Sequence, residues 1–195
     1  MIPVVSVIRD EHRAMASVLE ALLFVTEEIR AGRVARDTEP LWAMVRYIEA
    51  FPHGLHTPKE DRYLMPALRR RHPEAGPLID DLGREHAHGD RLISALKAAL
   101  ADVETDHEGA LERFATRARE FADFNWAHTN KEEGQLLPLA EQYLTPEDWQ
   151  EIDVAWRSGE DPQIGSAVTR EFRQLFRRIV NLTPAPMGLG PPVSR

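Results

Sequence analysis

The sequence predicts an all-α protein: an antiparallel up-down-up-down four-helix bundle with two short additional C-terminal helices. Three observations support this. Apolar residues recur at steps of three and four over four long stretches. No stretch alternates apolar and polar residues with the period of a strand. The connections between the stretches are short, as in sequential antiparallel bundles.

The first helix is expected from about Val4 to about Arg30, with Ile8, His12, Met15, Leu19, Leu22, Thr26 and Ile29 along its inward line. Gly32 and the polar stretch to Asp37 turn the chain. A second helical segment, about Thr38 to Arg71, is interrupted by Pro52 and Pro58, so a kink or break is expected near Phe51–Leu55. His72-Pro73 and Pro77 mark the next connection. The third helix, about Leu78 to Glu104, carries Leu82, His86, Gly89, Ile93, Leu96 and Leu100 on one stripe. Asp106 is the expected cap of a fourth helix, about Glu108 to Tyr143, with Leu111, Phe114, Ala118, Phe121, Asn125 and His128 aligned. Thr145-Pro146-Glu147-Asp148 then reads as a cap, a first-turn proline and two acids favoured by the helix dipole, opening a helix to about Arg157. Another follows from about Ser166 to Asn181. The expected organisation is a bundle over 1–144, a helical extension packed on it over 145–182, and a proline-rich tail without fixed structure over 183–195.

Composition removes several classes of function. The chain has 195 residues, 43% of them hydrophobic and 29% charged, enough to bury the core of a single domain. Its formal net charge of −8 is opposite to that of a phosphate-tracking nucleic-acid binder. Zero cysteines exclude disulfides, thiolate nucleophiles and cysteine-held metal sites. The longest apolar runs, such as Ala21–Val25, are too short to span a bilayer, and no basic segment followed by an apolar core opens the sequence. These features lead us to expect a soluble, cytoplasmic protein. Any transition-metal site must use imidazole and carboxylate, and eight histidines are available.

Four of those histidines, His12, His56, His86 and His128, lie one per helix, each in the inward stripe. Counting about 1.5 Å of rise per residue from each turn, they fall at one level of the bundle to within roughly 5 Å. Two helices add a carboxylate one turn later, His56-x-x-x-Glu60 and His128-x-x-x-Glu132, on the same helix face. Burying two glutamates in a bundle core is costly unless they are paired or bound to metal. A dinuclear cation site supplies that compensation, with each glutamate bridging through its two oxygens. The two halves also repeat: the acid is followed by another (Asp61, Glu133), leucine lies eight residues after the histidine (Leu64, Leu136) and proline ten after (Pro66, Pro138). A pseudo-twofold bundle would oppose these half-sites, which suits two metals better than one.

A single histidine on an apolar stripe is ordinarily a hydrogen-bonded core residue, and a lone His/Glu pair a weak surface ion pair; the joint pattern carries the argument. His88 lies on the opposite side of its helix from His86 and should face solvent. His72 and His107 sit at turns, where capping or solvation is expected, and His53 is a weaker ligand candidate across the kink. The rival Glu-x-x-His arrangement of ferritin-type di-iron bundles has two matches, Glu85-x-x-His88 and Glu104-x-x-His107, but the first is expected to point outward and the second lies in a connection.

The segment from Tyr47-Ile-Glu-Ala-Phe-Pro through His56-Thr-Pro-Lys-Glu60-Asp resembles the hallmark of bacterial hemerythrin-like (HHE cation-binding) domains. Glu85-His86, His128-Thr-Asn-Lys-Glu132-Glu with Leu-Leu-Pro-Leu-Ala following, and Leu144-Thr-Pro-Glu-Asp-Trp-Gln-Glu-Ile-Asp agree with it. The resemblance covers roughly residues 5–165 and implies a hemerythrin-like bundle around two iron ions, oxo- or hydroxo-bridged. It implies His12, His56, His86 and His128 as terminal ligands and Glu60 and Glu132 as bridges. Imidazole and carboxylate also accept manganese or zinc. Oxygen-carrying members have a second histidine one turn after the third-helix ligand, where this chain has Asp90, and the tandem histidine before Pro-Lys-Glu-Asp is here Leu55-His56. Four histidines and two carboxylates resemble the repair and sensing branches more than the carriers.

Asp90 stands either as a further ligand or as a residue orienting a ligand histidine. Tyr63, seven after His56, is either a core tyrosine or a donor to a bound oxygen species. Gly89 either permits close helix packing or leaves room for a diatomic ligand. Three functions follow in order of preference. The first is a di-iron protein binding dioxygen, nitric oxide or a related small oxidant for sensing, sequestration or stress response. The second is a di-iron enzyme with peroxidase- or catalase-like activity on hydrogen peroxide, with Tyr63 as donor, or an iron-centre repair protein. The third is a regulatory protein whose last helix binds a protein partner or a second copy: Phe172, Leu175, Phe176 and Ile179 form an apolar stripe on it, with Arg170, Arg173, Arg177 and Arg178 on other faces. The alternative for that helix is docking on its own bundle.

Overall fold

The structure, a computed structural model, describes residues 3–51, 56–157 and 166–190. Its elements are α1 (Pro3–Arg30), α2 (Glu39–Phe51), α3 (Thr57–Lys59), a π-turn (Glu60–Leu64), α4 (Met65–Arg71), a 3-10 turn (Pro73–Ala75), α5 (Gly76–Glu104), α6 (Ala110–Lys131), a second π-turn (Glu132–Leu136), α7 (Leu137–Tyr143), α8 (Pro146–Arg157) and α9 (Ser166–Leu182). No β-strand occurs among the described residues, and no described helix is long and apolar enough to cross a membrane. Helix α1 packs against α2 and α6, and α5 packs against α2 and α6, so the four segments close a square in chain order. Within the second helical segment α2 is described to Phe51 and α3 from Thr57; the expected break near Phe51–Leu55 falls on residues 52–55, outside the described residues.

The interior is two apolar clusters. One joins Met15 to Ile29 of α1 with α2, the Leu92–Val103 part of α5 and the Ala110–Ala122 part of α6. The other joins Val4, Val5 and Ile8 with α4, the first turns of α5, α7 and α8. Between them the inward stripes of α1, α5 and α6 turn polar at His12, His86 and His128, and His56, immediately before α3, completes the layer of four aligned histidines.

The two π-turns have a readable cause. Pro66 and Pro138 lack an N–H, and each ring opposes an α-turn through the carbonyl four residues earlier. The chain widens instead: the Met65 N–H donates to the Glu60 carbonyl and the Leu137 N–H to that of Glu132, both five residues back. The repeated proline ten residues after each histidine is therefore a repeated π-turn beginning at the glutamate.

Two local expectations are corrected. Asp106 does not cap the fourth helix. It takes a positive φ of 57° in a connecting turn, and Gly109, φ 66°, precedes the first helical residue, Ala110. Residues 183–190, expected without fixed structure, fold back on the end of α9: Leu189 N–H donates to the Val180 carbonyl and Gly190 N–H to that of Thr183, both at 2.8 Å. Residues 191–195 lie outside the described residues.

The last two helices both dock on the bundle. Helix α9 lies on α2, with Ile179 buried, Leu175 packed on the first cluster and Phe176 tilted over Tyr47 at 5.8 Å between ring centroids. Leu175, Phe176 and Ile179 thus cover the protein's own bundle. The side chain of Phe172 lies outside the described residues. Helix α8 crosses α1, α3 and the first π-turn, burying Trp149, Ile152 and Trp156.

The start of α8 is pinned by Asp148. Thr145 and Asp148 cap each other, Asp148 N–H donating to Thr145 Oγ1 at 3.4 Å and Thr145 N–H to Asp148 Oδ2 at 3.0 Å. Arg71 (2.7 Å) and Arg70 (2.9 Å) complete the cluster, and the Arg71 guanidinium holds the Asp148 carboxyl well below the usual carboxylate range. A depressed folded-state value makes this stabilisation fully present above the unfolded value of about 3.9 and lost as pH falls below it. Asp148→Asn is expected to cost about 2 kcal/mol at neutral pH. The difference from the parent chain, measured by urea unfolding of the metal-free proteins, should hold above about pH 4 and narrow progressively as the pH falls below that value.

Candidate metal centre

His12 comes from the middle of α1, His56 immediately precedes α3, His86 lies in α5 and His128 in α6, while Glu60 and Glu132 begin the two π-turns. All six meet in the polar layer. Glu60 is 0% and Glu132 1% exposed, and His12, His56 and His128 are also buried.

The four imidazoles share one orientation. Each turns Nε2 inward, toward the two carboxylates. Glu60 places Oε1 3.3 Å from His56 and Oε2 3.6 Å from His86. Glu132 places Oε2 3.3 Å from His12, and Oε1 3.0 Å from His128 and 3.7 Å from His86. Each glutamate thus gives one oxygen to the His12/His56 side and the other to the His86/His128 side. The donor atoms form two groups, His12, His56, Glu60 and Glu132, and His86, His128 and Glu132, the atoms of each lying within 4.8 Å of one another.

Proximity here is not hydrogen bonding. Six buried side-chain polar atoms among the described residues lack a hydrogen-bond partner: both oxygens of Glu60, both of Glu132, His86 Nε2 and Trp149 Nε1. Five of the six belong to this layer. His12 and His56 approach with their Nε2 atoms 3.0 Å apart. With both Nδ1 atoms donating elsewhere, two lone pairs would face each other, an unfavourable contact unless a proton or cation lies between them. The residues present therefore fit a metal pair: four nitrogens and four carboxylate oxygens, desolvated and converging.

The layer without metal is also electrostatically polarised. Burial opposes charge on every member, but Asp61, Glu132 and Glu60 outweigh it at His86 and push its pKa up to about 10. His56, beside Glu60 and Glu11, and His128, beside Glu132 and Glu85, are likewise raised against the effect of burial. Burial would raise Glu132, yet the imidazoles of His128, His12 and His86 hold it well below its ordinary value. Metal ligation needs neutral imidazoles and ionised carboxylates, so a cation would take the place of these protons.

On the outer side each Nδ1 donates to a carboxylate: His12 to Glu133 at 2.8 Å, His56 to Glu11 at 3.0 Å, His86 to Asp61 at 3.0 Å and His128 to Glu85 at 2.8 Å. Glu11 also accepts from Trp156 Nε1 at 3.2 Å, which brings α8 to the edge of the site, and the Trp156 ring meets His56 edge-on. The sequence reading missed these partners, although Glu11-His12 with Glu85-His86, and Lys59-Glu60-Asp61 with Lys131-Glu132-Glu133, are visible repeats.

Other expected residues fall elsewhere. Tyr63 lies in a groove against α8 with Glu147, Gln150, Glu151, Val154 and Ala155, not in the histidine layer. The wide π-turn breaks the three-residue spacing that would have kept it over Glu60. Asp90 is exposed on the cavity wall, outside both donor groups, and the Nδ1 atom of His86 is held by Asp61. Gly89 makes room for a side chain: a Cβ there would meet Phe124 Cε1 at 3.2 Å, and Phe124 in turn stacks on His128. His88 is exposed as expected, and His53 lies outside the described residues.

A cavity of about 430 Å³ adjoins the layer, with the four histidines and Glu132 on one side and Met15, Ile93, Phe121 and Phe124 on another. A water molecule's share of liquid volume is about 30 Å³, so a small ligand fits beside the imidazoles.

A scan of known families matches residues 3–140 to the hemerythrin HHE cation binding domain. Neither the curated proteins nor the solved structures searched gave a match.

Proposed function

The chain belongs to the hemerythrin HHE cation-binding family, and from that premise we propose that it is a di-iron protein that binds dioxygen, nitric oxide or a related small oxidant, in sensing, sequestration or a stress response. His12 and His56 would hold one ion and His86 and His128 the other, with Glu60 and Glu132 offering an oxygen to each histidine pair. The carrying observation is the placement of each buried glutamate, one orphaned oxygen toward either histidine pair. Iron supplies exchangeable coordination positions and a reversible change of oxidation state.

This chain's residues do the rest. The Nδ1 hydrogen bonds fix the aim of the imidazoles. Met15, Ile93, Phe121 and Phe124 give the adjoining cavity an apolar wall suited to an uncharged diatomic molecule. Peroxide decomposition at the same centre is the second reading. It lacks the proton donor expected of it, because Tyr63 sits in the groove against α8. Cytoplasmic placement remains part of the proposal.

Elemental analysis should find about two irons per chain, as expected of an imidazole–carboxylate donor set divided in two. The visible spectrum of the ferrous protein should change on adding oxygen or nitric oxide and revert with dithionite. A ferrous form indifferent to both gases would remove the binding reading. Peroxide turnover faster than that of free iron would move the assignment to the enzyme, and one zinc per chain would end both redox readings.

A further inference from the structure

We propose that Glu11, Asp61, Glu85 and Glu133 are positioning residues that form a closed ring around the centre, in which each helical segment of the bundle aims the ligand histidine of the next. The inference rests on the metal-binding reading above and extends it to four residues outside the donor groups. Glu11 of α1 holds His56 at the start of α3, and Asp61 of the first π-turn holds His86 of α5. Glu85 of α5 holds His128 of α6, and Glu133 of the second π-turn holds His12 of α1, which closes the circuit. No helix is skipped and none is used twice.

The arrangement has a physical purpose. An imidazole on a single χ2 bond can present either nitrogen, or a carbon, to the centre. A carboxylate on Nδ1 selects the tautomer and the rotamer that leave the Nε2 lone pair pointing inward. Every ring carboxylate is also the chain neighbour of a donor: Glu11 of His12, Asp61 of Glu60, Glu85 of His86 and Glu133 of Glu132. One short stretch of backbone therefore delivers a donor from its own helix and the anchor for the next, so the six donors are set as a unit.

The four anchors are not equally firm. Glu85 is gripped by Lys131, which also reaches Asp81 at 2.6 Å. Glu11 accepts from Trp156 at 3.2 Å and lies 3.8 Å from buried Lys59. These two side chains are 24% and 20% exposed, against 47% for Asp61 and 37% for Glu133. Water competes more at the latter pair, so loss of Glu85 or Glu11 should have the larger effect.

The test uses the full chain without oxygen, with ferrous ion as the probe, its uptake measured by competition with a chelator. Glu85→Ala should weaken one of the two bound ions by about 10- to 100-fold, the usual effect of losing such a partner. Glu85→Gln, whose amide oxygen still accepts from Nδ1, should remain close to the parent chain. Asp61→Ala should show a smaller loss than Glu85→Ala. The visible spectrum of the cobalt(II)-loaded proteins reports the same sites, and should change in Glu85→Ala and be restored in Glu85→Gln. Unchanged affinity in Glu85→Ala, or a Glu85→Gln variant as weak as Glu85→Ala, overturns the inference. If Glu85→Ala does not fold, the comparison of Asp61→Ala with Asp61→Asn decides by the same criteria. Failure of the parent chain to take up metal removes the metal-binding reading instead, so the two failures are distinct.

Discussion

Replacing Glu132 with alanine should abolish binding of both metal ions, the largest functional effect expected of any single substitution here. Glu132 is the one residue present in both donor groups, with Oε2 3.3 Å from His12 and Oε1 3.0 Å from His128. Without it the His86/His128 side keeps two imidazoles and a single oxygen of Glu60, and the His12/His56 side loses one of its two carboxylates. Two imidazoles and little charge compensation are a poor site for a hard divalent ion. Elemental analysis after loading and desalting should fall from about two ions per chain to nearly none, the expectation for a donor set this reduced. Glu141→Ala, on the exposed side of α7, should keep both. Retention of both ions by Glu132→Ala would refute the bridging assignment.

The largest effect on stability should come from Phe114→Ala. Phe114 is fully buried in the cluster formed by α1, α2, α5 and α6. Removing a buried aromatic ring leaves a cavity that packed helices close only in part, at a cost of about 3–5 kcal/mol. For a chain of this size that lowers the melting temperature by roughly 6–20 °C. Phe114 precedes His128 by fourteen residues of α6, about 21 Å along the helix. The variant should therefore still bind two ions below its melting transition. Calorimetry and metal analysis on one preparation test both halves of the statement, and loss of metal without loss of stability would contradict it.

Both substituted residues were legible in the sequence, whereas the turn that begins at Glu132 was not. The apolar stripe through Leu111, Phe114, Ala118 and Phe121 announces itself by spacing alone, because an α-helix repeats every 3.6 residues and only one face can be buried. The same rule put His12, His56, His86 and His128 on inward stripes, and the fixed rise per residue put them at one level. Both properties are local, so they survive without knowledge of the partners. The π-turns were hidden although Pro66 and Pro138 were in plain view. A proline says that an α-turn is disfavoured, but not whether the chain breaks, bends or widens. That choice displaced Tyr63 from the site and set Glu60 and Glu132 at the head of a wide turn.

By itself the sequence determined the helical class, the four long segments and the six residues that converge. Tertiary structure alone decided that α9 lies against α2, that Trp156 reaches the edge of the site, and which carboxylate holds which histidine. The reason is distance along the chain. Periodicity and rise connect residues within a few turns, whereas the Nδ1 partners are separated by 25 to 121 residues. Acidic neighbours such as Glu11 and Asp61 look like solvated surface until the next helix brings an imidazole against them.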